Sequence, residues 1–106
     1  MTEILLELRN ASSRHDFIAE QIARIKTSAA DRVSARKHLQ DHVEAATSLK
    51  LDARDRAALR AFLNGVAQRL RAGEIDERTA HSGINRLLMA ARSNNPDVLH
   101  IIYAGA

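Results

Sequence analysis

Arg71–Leu88 reads RAGEIDERTAHSGINRLL, and its reading decides the fold. Arg71-Ala72-Gly73 closes one helix, with Gly73 as the left-handed residue past its end. Asp76 opens the next, its carboxylate suited to the free N–H groups of a first turn. The Gly73–Asp76 link is short, so two helices joined this way are expected to pack as an αα-hairpin. Upstream, Leu59, Phe62, Leu63, Val66 and Leu70 repeat at helical spacing behind Asp52 and Asp55, which predicts a helix over Ala53–Ala72. Downstream, Ala80, Ile84, Leu87, Leu88 and Ala91 form a second apolar face, stopped by Asn94-Asn95-Pro96.

Arg14 to Thr47 holds no Gly or Pro. Ile18, Ile22, Ile25 and Ala29 follow a 4, 3, 4 seam that Leu39, Val43 and Ala46 resume. This predicts one long helix, bent near Thr27–Ala30, where Ser28 and Asp31 offer a second cap. Ahead of it, Ile4, Leu5, Leu6 and Leu8 suggest a two-turn helix, and Asn10–Ser13 a break with Ser13 and Asp16 as its cap. At the other end Asn95 and Pro96 favour a short helix, although Val98–Tyr103 would suit a strand. The expected fold is all-α, a single domain over residues 1–106: a small helical bundle of four or five helices. It has one long, kinked N-terminal helix, an αα-hairpin and a short C-terminal helix.

Composition agrees. The 106 residues are 45% hydrophobic but only 3% aromatic, so the core is built from Leu, Ile, Val and Ala. That palette suits close-packed helices better than a sheet. Cysteine is absent, which removes disulfides, thiol nucleophiles and Cys-ligated metals. The chain has no membrane-length apolar run and no secretory signal pattern, so a cytoplasmic location is expected.

The net charge is +3 and unevenly spread. Residues 1–52 carry eight basic and eight acidic side chains; residues 53–92 carry eight basic, all Arg, against four acidic. Arg donates bidentately to phosphate and carboxylate, though a biased genomic composition also enriches it. Two stripes concentrate the charge. Arg56, Arg60, Asn64, Gln68 and Arg71 repeat along the third quarter; Arg78, Ser82, Asn85 and Arg92 follow on the next helix. Arg and Asn are the types that pair with guanine and adenine edges, so a helix-turn-helix-like hairpin over residues 53–92 is one expectation. The turn is longer than that motif requires and Gly83 sits mid-helix, where it would admit a close backbone neighbour. An acidic protein partner would suit the same stripes.

His38 and His42 are four apart, a spacing that can present two imidazoles to a metal, but no third ligand stands nearby. No phosphate-binding loop or nucleophile motif appears. No enzyme activity, cofactor or small-molecule substrate is therefore expected. Apolar clusters mark both ends: Ile4, Leu5 and Leu8, then Leu99, Ile102 and Tyr103. Exposed clusters of that size imply a partner. The leading expectation is a small regulatory module that works by protein–protein contact as a homodimer; the alternative is a DNA-binding regulator.

Overall fold

A computed structural model describes residues 2–105 of the chain, with side chains from Ser13 to Gly105. It is all-α: α1 (Thr2–Ile25), α2 (Ala29–Ala46), α3 (Ala53–Arg71), α4 (Glu77–Arg92) and α5 (Asp97–Gly105). Among the described residues no helix is long and apolar enough to cross a membrane.

The long helix of the sequence reading is two helices. Ser28 is extended (φ −152°) and its hydroxyl accepts from the Asp31 N–H at 3.1 Å, so this cap starts α2. The end of α1 is sealed from outside, Arg71 donating Nη1–H to the Ile25 carbonyl at 3.0 Å. The seam divides accordingly. Ile18, Ile22 and Ile25 of α1 and Ala35, Leu39 and Val43 of α2 are buried, whereas Ala29 is exposed. The expected break at Asn10–Ser13 is not formed; α1 runs through it. Without Gly or Pro those residues cost only tenths of a kcal/mol each in a helix, about 0.7 at most.

α3 and α4 have the anticipated boundaries. Asp52 and Asp55 close a capping box, and the Asp76 carboxylate accepts from the Thr79 N–H at 2.7 Å. Both helices end in the same paired-hydrogen-bond cap. At α3, Glu74 N–H reaches the Arg69 carbonyl and Gly73 N–H the Leu70 carbonyl; Gly73 takes φ +75°. At α4, Asn95 and Asn94 play those parts, with Asn94 in the left-handed region at φ +52°. The Asn94 side chain then accepts from Ser48 N–H at 2.7 Å, tying the α2–α3 loop to the end of α4.

The two helices do not pair as a hairpin. They touch little beyond their connection; α2 packs on both, α1 packs chiefly on α2 and also on α4, and α5 lies mainly on α3. The amphipathic faces explain this. Leu59, Phe62, Leu63, Val66, Leu70 and Ile84, Leu87, Leu88 turn toward one shared core with Ile18, Leu39 and Val43. Each such side chain contributes about 1.5–3 kcal/mol when fully buried, which outweighs any preference for sequential pairing. The segment after Pro96 is helical, with Val98 and Ile102 buried.

A candidate interaction groove

α1 and α2 run antiparallel. His38 faces Arg24, which donates Nη1–H to its Nδ1 at 3.1 Å, and His42 stacks on Phe17 with ring centroids 4.5 Å apart. Beyond Phe17 the pair opens, and α4 closes the third side. The result is an open groove of about 550 Å³ lined by Ser13, Arg14, Phe17, His42, Ala45, Ala46, Leu88 and Arg92. Phe17 and Ala46 pack against the core from its floor. Two guanidinium groups stand on its walls, one on α1 and one on α4. Arg14 is fixed there, donating Nε–H to Asn85 Oδ1 at 3.0 Å, which leaves its terminal N–H groups free of that bond. None of the described residues lining the groove is acidic. An apolar floor between two cations suits an acidic, apolar guest.

The basic stripes are distributed differently from the sequence expectation. Arg60, Asn64 and Gln68 are exposed along α3, and Arg56 lies 3.8 Å from Glu44. Arg71 is committed to the end of α1. On α4, Arg78 and Ser82 are exposed, Asn85 is half-buried against Arg14, and Arg92 joins the groove. α1 therefore lies along part of the face that would have entered a DNA groove. Among the described residues nothing lies within 4 Å of where a Gly83 Cβ would stand, so no close neighbour there accounts for the glycine.

His38 and His42 have separate partners, and among the described residues no cluster of three or more His, Asp or Glu could hold a metal. The fold does bring together His15 and His81, 66 positions apart, with ring centroids 4.4 Å apart and His81 Nε2 at 3.3 Å from the His15 carbonyl.

At the C-terminal end, Ile102 is buried and Leu99 half-buried against the core; Tyr103 is exposed. The Tyr103 hydroxyl donates to Asp55 Oδ1 at 2.7 Å, fastening α5 to the start of α3. That bond holds the Asp55 carboxyl below its ordinary range and pushes the Tyr103 phenol up. Ile4, Leu5 and Leu8 lie outside the residues whose side chains are described.

The groove's residues come from positions 13–17, 42–46 and 88–92, and only the fold unites them. The sequence signal that could have marked it is Phe17, an aromatic beside the apolar seam of α1 rather than on it. Comparison with protein-family models, with curated proteins and with solved structures finds no match.

Proposed function

We propose that this chain is a small protein-interaction module, regulatory rather than catalytic, whose working surface is the groove between α1, α2 and α4. The observation that carries this reading is the groove's make-up: an apolar floor of half-buried Phe17 and Ala46, backed by the buried Leu88, between Arg14 and Arg92, with no acid among the described lining residues. Core side chains already close the rest of the bundle, so this apolar floor is left for a guest. The guest it fits is a helical segment with Leu or Ile one turn apart and Glu or Asp beside them, laid in as a helix in a groove. The Arg-rich α3 surface, Arg60 with Arg56, steers an acidic partner toward the module.

The test is fluorescence anisotropy with a labelled, designed acidic amphipathic helical peptide titrated with the whole protein. Micromolar binding is expected, weakened at least tenfold by Arg14→Glu with Arg92→Glu. Equal binding by wild type and variant, or none, overturns the reading. A labelled random duplex at low and moderate salt is the counter-test. Salt-sensitive micromolar binding, lost on Arg60→Ala and Arg78→Ala, would put a nucleic-acid function in its place.

A further inference from the structure

We infer that the groove's guest is the N-terminal turn of a second copy of this chain, so that two copies exchange these segments and form a closed two-fold dimer. The inference rests on the groove reading above and names its occupant. The sequence TEILLEL at Thr2–Leu8 has the chemistry the groove asks for: Ile4 and Leu8 one turn apart, with Glu3 and Glu7 one turn apart beside them. Within residues 1–12 the acids, Glu3 and Glu7, outnumber the single base, Arg9. The described groove residues offer two guanidinium groups over an apolar floor. Charge and apolarity are complementary on both counts.

The segment cannot serve its own groove. It belongs to the same helix, α1, as Ser13, Arg14 and Phe17 of the groove wall. A continuous helix rises about 1.5 Å per residue and so carries Leu5 roughly 18 Å from Phe17 along its axis. A second copy has no such constraint. Two α1 helices laid antiparallel about an axis between Asn10 and Ala11 set Ile4 of each copy against Phe17 of the other. The same register sets Glu7 against Arg14, because both pairs are centred on that point. All four positions fall on one side of a helix of 3.6 residues per turn. The contact is self-complementary, as a two-fold interface must be, and it closes without leaving a free groove to propagate.

The mass of the whole protein is measured by sedimentation over a micromolar concentration series, for wild type, for Glu3→Lys with Glu7→Lys, and for Arg14→Glu with Arg92→Glu. A dimeric wild type is expected, with dissociation constants at least tenfold weaker for each charge-reversed chain. Mixing the two variants one to one is expected to restore dimer, because each basic segment then meets an acidic groove and each acidic segment a basic one. Circular dichroism checks that each variant is folded, and the rescue itself requires folded chains. A wild type that stays monomeric, a Glu3→Lys, Glu7→Lys chain that stays dimeric, or a mixture that gains no dimer overturns the exchange. The designed-peptide titration separates the two failures. A monomeric wild type that binds the peptide keeps the groove reading and loses the second-copy guest; a monomeric wild type that does not bind it loses both.

Discussion

Two residues sit where the packing of the fold does not call for them. Gln21 is 2% exposed, one turn from Phe17 on α1, and its Oε1 has no hydrogen-bond partner among the described residues. A buried polar atom left unpaired costs about 1–3 kcal/mol relative to a satisfied or apolar one. Gln21→Leu keeps the volume and removes the orphan, so it is expected to raise unfolding free energy by about 1 kcal/mol. Denaturant titration reads this as a higher midpoint at unchanged slope; a lower midpoint would show that the amide is satisfied in solution. Gly83 is the second. It lies inside α4, no described residue stands within 4 Å along its Cβ direction, and its backbone is ordinary helix. Gly83→Ala should therefore stabilise by about 1 kcal/mol through the unfolded chain's lost freedom. The sequence led to a different expectation, a close backbone contact, because spacing shows where a glycine stands in a helix but not what stands opposite. The Asp52, Asp55, Gly73 and Asp76 signals were legible for the opposite reason. Caps act on the backbone within four residues of themselves, so no distant neighbour enters the reading.

The division of Arg14–Thr47 into α1 and α2 shows how local and non-local signals compete. Ser28 and Asp31 marked the cap correctly, yet the apolar seam ran on past them with Arg32 and Arg36 in the gap. The burial of Ala35 resolves it: the seam of α2 starts at Ala35 and continues through Leu39 and Val43, so Arg32 and Arg36 are not part of it. The expected α3–α4 hairpin failed because a short link fixes sequence neighbours, not packing partners. What α3 packs against most is α5. That contact carries its own pH window. The Tyr103–Asp55 bond lowers the carboxyl, so its contribution is present above the ordinary carboxylate range near pH 4 and is lost as pH falls through it. The phenol is raised, so the contribution holds below pH 10 and is lost as pH rises beyond. Both groups are at the surface, and the effect on global stability is small. It is readable all the same, since Tyr103 is the sole tyrosine and tryptophan is absent. Ultraviolet titration of the phenolate should give a midpoint above that of a free tyrosine, returning toward it in Asp55→Asn. A midpoint at the free value in wild type would mean that α5 is not fastened there. Gly105 makes the same helix demanding at its far end. A Cβ on it would lie 2.5 Å from the Phe62 ring, so Gly105→Ala is expected to loosen α5 and lower the thermal midpoint.

At the scale of the molecule, the bundle has a closed core and an open groove, and these respond to different variables. Ile18, Leu39, Leu59, Ile84 and Leu87 are 0–1% exposed within one chain, so the fold itself does not call for a second copy. The groove does. The groove was illegible in the sequence because Phe17, Ala46 and Leu88 lie on three helices whose mutual packing no local pattern sets. If two copies exchange their N-terminal turns there, stability becomes a function of concentration by mass action. Unfolding of a dimer to two chains shifts by about 1.4 kcal/mol per dimer for each tenfold change in protein, or about 0.7 per chain. For a domain of about 100 residues, that moves the thermal midpoint by roughly 3–5 °C per decade. Scans at 2, 20 and 200 µM (about two decades) should show wild type rising in this way. The Arg14→Glu, Arg92→Glu chain should show one midpoint at all three, because its core is untouched and its groove is empty. A flat wild type would assign the fold's whole stability to the single chain. A variant that rises as steeply as wild type would place any association on a different face.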